Sequence, residues 1–262
     1  MNKSLDKETV DAIGKRFVEV IAAPEFEEGV AGMLESKTNL RVLRFDNLDQ
    51  VPKYIGDAPE DLFEIRGIPT GYVFAQKPFL SKVRDIQDII TDPQITVGSQ
   101  DYVVLFKPTE DQLLDMLASW YVNIGVKSNG VLLFKDGVSV AIGSGQQERV
   151  GALEQAIVKA YQKAMDRYNN AVPVDQRIRY NPLHGMADWH LFAERGCEDP
   201  VQGSVLSSDG FFPKRDSIDL AGENGIAAII QPGGAKADHE IIQAANENQI
   251  PMCMTGERVF NH

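Results

Sequence analysis

Apolar and polar positions along this chain alternate between helical and strand-like periods. Residues 6–16 read as a helix that leads into a strand over 17–22. Residues 25–36 read as a short acidic helix, and 40–45 alternate as a strand does. Residues 46–61 carry Asn, Asp, Pro and Gly and read as a loop. A glycine-punctuated strand is expected over 67–76, followed by an irregular crossover over 77–100. A more regular unit starts near Asp101. Residues 102–106 form an apolar strand, and Thr109 is placed to cap a helix running to about Ile124. Strands 130–134 and 138–143 flank Lys135-Asp136-Gly137, whose Asp-Gly pair signals a hairpin turn. A long helix is expected over 147–168, then a polar insertion over 170–200 with Pro173, Pro182 and Pro200. The next assigned elements are helix 217–223, strand 226–230, helix 236–248 and strand 250–254. The pattern is α/β, with a mixed sheet and helices on its faces. It divides into a unit over 1–100 and a second over 101–262 that contains the insertion.

Composition narrows the functional classes. A hydrophobic content of 43% and a charged content of 24% are those of a soluble globular protein. The net charge of −12 argues against nucleic-acid binding through a general basic surface. An anionic ligand would need local arginines and backbone N–H groups. No apolar run approaches the roughly 20 residues of a membrane span, and the first residues lack the apolar core of a signal peptide. Cys197 and Cys253 belong to no CxxC motif, so a cytoplasmic chain with reduced thiols is expected. Cys253 lies in an apolar run and reads as core.

Candidate chemistry concentrates at turns. Gly143-Ser144-Gly145-Gln146-Gln147-Glu148-Arg149 joins a strand to a long helix. Glycines allow close backbone approach, the first helical N–H groups favour an anion, and Arg149 can add a charge-assisted contact. A tight turn with an exposed arginine fits the same residues. In Lys127-Ser128-Asn129, Asn129 offers a donor and an acceptor, or simply turns the chain at a helix end. Ser207-Ser208-Asp209-Gly210-Phe211-Phe212-Pro213-Lys214-Arg215-Asp216 sets adjacent aromatics, an arginine and acids beside a helix start. That suits a flat ring with a polar edge, or a core corner with a surface ion pair. Gln231-Pro232-Gly233-Gly234 either offers N–H groups to a ligand or is a plain strand-to-helix turn. His184, His190, His239 and His262 have no zinc-type spacing, so no metal site is expected. His262 reads as part of a frayed tail. No nucleophile elbow or His/Asp pair for a triad is evident.

Taken together, these blocks and the tail Arg258-Val259-Phe260-Asn261-His262 occur in the order of a known family. They resemble the transformylase part of the bifunctional purine-biosynthesis enzyme, which joins AICAR formyltransferase to IMP cyclohydrolase. Weaker similarity runs through Lys15-Arg16-Phe17-Val18-Glu19-Val20-Ile21 and the strand ending at Gln76. The resemblance implies a cytidine-deaminase-like three-layer α/β/α fold and a dimer with sites at its interface. It implies formyl transfer from the co-substrate 10-formyltetrahydrofolate to the 5-amino group of AICAR. By motif, Asn129 and Arg149 would hold the aminoimidazole nucleotide, and Val150, Phe211, Asp216 and Arg258 would line the folate side. The family's Phe-Pro-Phe-Arg-Asp becomes Phe212-Pro213-Lys214-Arg215-Asp216 here, and Ser217 departs from the related pattern. The family's Lys-His pair, implied to move protons and stabilise the tetrahedral intermediate, has no counterpart among these residues. The cyclohydrolase part is missing as well, so no cyclohydrolase activity is expected of this chain. The expected partners are AICAR and folate, with a second copy or a separate polypeptide carrying the Lys-His half. A non-catalytic module that binds folate or a purine nucleotide is the alternative.

Overall fold

The computed structural model describes all residues except 15, 48–49, 58–61, 70, 182–184 and 261–262. Lys15, Pro182, His184, Asn261 and His262 therefore lie outside the described residues. The chain splits into two compact units, Met1–Leu80 and Ser81–His262.

In the first unit, α1 (Lys7–Ile13) starts at Asp6, whose carboxylate accepts the Thr9 N–H at 2.7 Å. The helix stops three residues short of the expected end because Gly14 turns the chain at φ +52°. Strand β1 (Val20–Ala23) pairs in parallel with β2 (Arg41–Arg44) through α2 (Val30–Glu35). The helix expected over 25–36 loses its first turn: Glu25 and Glu27 exchange backbone hydrogen bonds with Leu5, and Gly29 adopts φ +85°. Leu5, Val10, Ile21, Ala23, Val30 and Leu34 close a small core. The single strand expected over 67–76 is instead most of a hairpin. β3 (Glu64–Gly67) runs antiparallel to β4 (Val73–Gln76). Pro69 suits the turn between them, which the Ile68–Tyr72 and Gly71–Ile68 backbone hydrogen bonds close.

The second unit is built on a five-stranded mixed sheet. A hairpin of β5 (Gln94–Val97) and β6 (Gln100–Val103), turning at Gly98 with φ +65°, occupies part of the segment expected to be irregular. It is tied down by Asn246, whose side chain bonds the backbone of Val103 and Leu105. Helix α3 (Glu110–Asn123) begins as expected at Thr109, which forms a capping box with Gln112. Strands β7 (Val131–Lys135) and β8 (Val138–Gly143) form the expected hairpin. Asp136 and Gly137 both take positive φ, the geometry of a type I′ turn. The long helix α4 (Arg149–Ala171) follows. The insertion then packs Tyr180, Trp189 and Phe192, the last two in α5 (Trp189–Ala193), as an aromatic cluster with Tyr161 and Tyr168 of α4.

Strand β9 (Val205–Ser208), which the hydrophobic pattern missed, is the central strand of the sheet. Its two serines disguise a fully buried run. Ser207 Oγ accepts from Asn123 Nδ2 at 3.1 Å, and Ser208 Oγ donates to the Gly210 carbonyl at 2.7 Å, so both hydroxyls are satisfied. Then come α6 (Asp216–Glu223), β10 (Ala228–Gln231), α7 (Asp238–Glu247) and β11 (Met252–Met254). The strand order is β11-β10-β9-β7-β8. Strands β9, β10 and β11 are parallel, and β7 is antiparallel to both β9 and β8. Alternation along the strands separates two cores. Val205, Ala228, Ile230 and Cys253 face Met116 and Trp120 of α3. Leu206, Ile229 and Met252 face the side covered by α4, α6 and α7. The topology therefore brings the carboxyl ends of β8, β9, β10 and β11, and the amino end of β7, to one edge of the sheet.

Candidate functional site

In open α/β sheets ligands bind at the carboxyl ends of strands, and this edge gathers every block singled out in the sequence. Lys127-Ser128-Asn129 enters β7, and the Gly143–Arg149 loop leaves β8. The Asp209–Asp216 loop leaves β9, Pro232-Gly233-Gly234 leaves β10, and the tail leaves β11.

Asp209 joins three of these loops. It is fully buried, and its carboxylate accepts the Arg149 Nη2–H at 3.1 Å and the Ser128 hydroxyl. Its N–H donates to the Gly130 carbonyl and its own carbonyl accepts the Val259 N–H, both at 3.0 Å. Gly210 makes the crowding possible: a Cβ there would stand 2.0 Å from Arg149 Nη2 and 2.4 Å from the Phe260 ring. Gly143 plays the same part beneath the next loop, where a Cβ would meet the Ala152 carbonyl oxygen at 1.8 Å.

Arg149 is the first residue of α4, so its guanidinium lies beside the helix's partly positive end. Its side chain is 12% exposed and carries a buried Nε without a partner among the described residues. The Phe260 ring lies 5.5 Å from the guanidinium carbon. The Asn129 amide donates to the Gln146 carbonyl at 2.9 Å, so the loops before β7 and after β8 are stitched together. The charge of Arg149 is thus balanced internally by Asp209, while its buried Nε remains a donor in reserve.

The aromatic side of the edge is separate. Phe211 is half-buried, and the Arg258 guanidinium carbon lies 4.7 Å from its ring centroid. Phe212 turns the opposite way into the core, and its N–H donates to Gln231 Oε1 at 3.0 Å. Gly233 and Gly234 take φ +73° and +89°, and the Gly234 N–H donates to Asp238 Oδ2 at 2.7 Å. That N–H is used within the fold, which is the structural alternative for this turn rather than the ligand-facing one.

The structure therefore brings Arg149 to Phe260 and Arg258 to Phe211. Val150 is half-buried on the first turn of α4, next to Arg149. Asp216 is exposed at the first residue of α6, where its carboxylate accepts the Ser217 N–H at 2.7 Å. Arg215, quoted within the same block, is drawn outward into bonds with Asp219 and Glu247. Sequence reasoning did not single out Asp209, Ser128, Phe260 or Glu257. The Ser-Ser-Asp-Gly run after a strand was a usable signal for Asp209. Among the described residues, no group of three or more His, Cys, Asp or Glu side chains could hold a metal. A cavity of about 430 Å³ belongs to the first unit, where Phe26, Leu34, Leu40 and Val42 help line it, and holds none of these groups.

Comparison with known proteins matches residues 1–159 to the family model described as AICARFT/IMPCHase bienzyme. The bifunctional purine biosynthesis protein PurH of Persephonella marina is 34% identical over 262 residues, covering all of this chain and 40% of the relative. The corresponding protein of Dictyostelium discoideum is 34% identical over 261 residues, and that of Caldicellulosiruptor saccharolyticus 31% over 261. The chain covers 39% of each of these two, so it spans about two fifths of the length of the relatives it matches.

Proposed function

The chain belongs to the AICARFT/IMPCHase bienzyme family, and from that premise we propose that it supplies the ligand-holding part of a formyl-transfer site. The reaction is transfer of a formyl group from 10-formyltetrahydrofolate to the 5-amino group of AICAR. The observation that carries this reading is the convergence of five separated sequence blocks on one sheet edge, with Arg149 held against Asp209 and Phe260 and Arg258 over Phe211.

On this reading Asn129 and Arg149 hold the aminoimidazole nucleotide. Arg149 offers its guanidinium beside the amino end of α4, the favourable place for an anion. Val150, Phe211, Asp216 and Arg258 take the folate side. The half-buried Phe211 face suits a flat ring, and the exposed Asp216 carboxylate suits the N–H groups on its edge. The amine nitrogen attacks the formyl carbon, a tetrahedral intermediate forms, and the bond from carbon to N10 of the folate breaks. The proton lost by the amine ends on the departing folate nitrogen. Moving that proton and holding the oxyanion need an acid–base group and a donor.

No Lys-His dipeptide occurs in the 262 residues. In our reading the pair is supplied by residues outside these 262, on the same polypeptide or on another chain, in the cytoplasm. The exposed apolar side chains Val42 and Leu43 of β2 and Val73 and Phe74 of β4 support a covering partner. The fold class we assign is cytidine-deaminase-like, with helices on both faces of the mixed sheet. Formyl transfer is assayed with the purified chain alone and with a candidate partner bearing a Lys-His pair. Activity is expected only for the combination, and a combination without activity defeats the formyl-transfer reading.

A second reading rests on the same contacts of Arg149 and Arg258: a non-catalytic module that binds folate or a purine nucleotide. Calorimetry separates the two from a purely structural role. Binding of AICAR that Arg149→Ala leaves unchanged, together with folate binding that Phe211→Ala leaves unchanged, would count against both.

A further inference from the structure

The tail after β11 bends at Gly256, where φ is +67°, and its burial alternates strictly. Thr255, Glu257 and Val259 are buried, while Gly256, Arg258 and Phe260 are exposed. Thr255 and Val259 are ordinary inward groups. A carboxylate is not, because burying a charge is costly unless it is paired or fully hydrogen-bonded. Glu257 is 8% exposed, and three donors meet it. The Ser81 hydroxyl and the Trp120 indole N–H, the latter at 3.2 Å, both reach Oε1. The Lys82 N–H reaches Oε2 at 2.7 Å.

The surroundings of these donors are themselves held. Ser81 Oγ accepts the Val83 N–H at 3.1 Å, and the Tyr121 hydroxyl binds the carbonyls of Val83 and Arg84 at 3.0 and 2.7 Å. Trp120 is fully buried in α3. Glu257 thus ties the tail to both α3 and the 81–84 segment. Thr255 Oγ1 donates to the Glu257 carbonyl at 3.1 Å and closes the turn before it. One residue beyond Arg258, the Val259 N–H is fixed to the Asp209 carbonyl at 3.0 Å. Arg258 therefore stands between two anchored residues, with its side chain directed to the opposite side, over Phe211.

We propose that Glu257 is the positioning residue for Arg258: a buried carboxylate latch that holds the guanidinium against the Phe211 face. The inference rests on the folate-side reading of Phe211 and Arg258 and adds to it the residue that sets their geometry. Glu257 touches no ligand in this scheme. Its oxygens are taken up by Ser81, Lys82 and Trp120, which fits a latch and not a proton carrier.

The test uses the full chain, as wild type, Glu257→Gln and Ser81→Ala. Two NMR readouts report the latch directly. One is the Trp120 indole N–H resonance. The other is the ring-current shift that Phe211 imposes on the Arg258 side chain, assigned with Arg258→Ala. Calorimetry with AICAR and with a 10-formylfolate analogue reports the consequence. In Glu257→Gln the indole resonance moves, the Arg258 ring-current shift collapses, and affinity for the folate analogue falls about tenfold, the scale of one lost charge-assisted hydrogen bond. AICAR affinity stays within about twofold, which a general loss of structure would not allow. Ser81→Ala moves the same signals less far and serves as the test if Glu257→Gln does not fold. Wild-type chain that binds no folate analogue defeats the functional reading, while the ring-current shift still judges the latch. A folded Glu257→Gln chain that keeps the wild-type Arg258 shift overturns the inference.

Discussion

Arg149 and Asp209 lie 60 residues apart in sequence and meet as an ion pair at 3.1 Å. The acid is fully buried and the arginine nearly so. Such a pair adds little to stability relative to a well-packed apolar one, but removing one member strands a buried charge. Arg149→Ala and Asp209→Ala are each expected to cost about 3 kcal/mol. The double variant should cost less than the sum, since the second change removes the stranded partner. Urea denaturation of the four proteins measures this coupling, and strictly additive losses would contradict a direct pair.

Two glycines should separate site geometry from stability. At Gly210 a methyl group would first meet the ends of the Arg149 and Phe260 side chains, which can give way only by loosening the Arg149–Asp209 pair. Gly210→Ala should therefore lose stability through that pair alone, less than Gly143→Ala loses, and on the proposed nucleotide reading it should bind AICAR poorly. At Gly143 the methyl group would meet the Ala152 backbone carbonyl, which cannot move without shifting α4 off β8. Gly143→Ala should cost about 3 kcal/mol or more, in the range of severe overpacking. Melting curves alongside calorimetry of each variant decide the matter, and equal stability losses would refute the distinction.

What the sequence made legible depended on whether the signal was local. The α3 cap at Thr109, the Asp136-Gly137 hairpin and the long helix α4 each follow from chemistry within a few residues, and they were read correctly. Strand β9 was missed because its serines satisfy their hydroxyls through Asn123 and the Gly210 carbonyl, contacts no local pattern displays. The hairpin β5–β6 was missed for a similar reason: the end of its second strand is anchored by Asn246, far along the chain. At the candidate site, the residue blocks were legible but their wiring was not. Asp209 matters because loops distant in sequence converge on it, and Glu257 because Ser81 and Trp120 stand opposite. Both are long-range facts.

The exposed cluster on α6 gives a weak acid-side signal. Arg215 bonds hold the Asp219 carboxyl below its ordinary range against the opposing effect of burial, with Asn248 adding to the lowering. A carboxyl depressed in the folded state contributes stability above its unfolded pKa and loses it as pH falls through the folded value. Stability should therefore decline below about pH 4, and Asp219→Asn should flatten that limb slightly. Because the pair is partly open to water, the change should be small and should shrink further in high salt. Denaturation midpoints across pH 2–6 (roughly the carboxylate range) check the sign.

Cys253 supplies the alkaline counterpart. It lies fully buried in β11, and burial is the largest cause pushing its thiol up to about 12, with Lys107 opposing and Asp92 assisting. The unfolded thiol ionises near its ordinary value of about 8.5, while the folded one stays protonated. The folded state therefore holds the extra proton, so the contribution is complete below the unfolded pKa and is lost as pH rises toward about 12. Tyr180, pushed up to about 12 by burial and Asp166, adds loss in the same direction. The thiol's share is isolated by comparing wild type with Cys253→Ala. The wild type should lose stability more steeply above about pH 9, by up to roughly 1.4 kcal/mol per pH unit. At neutral pH a thiol reagent should label the half-buried Cys197 quickly and Cys253 only on unfolding. Rapid labelling of both thiols in the native chain, or parallel alkaline limbs for the two proteins, would contradict the buried, proton-holding thiol.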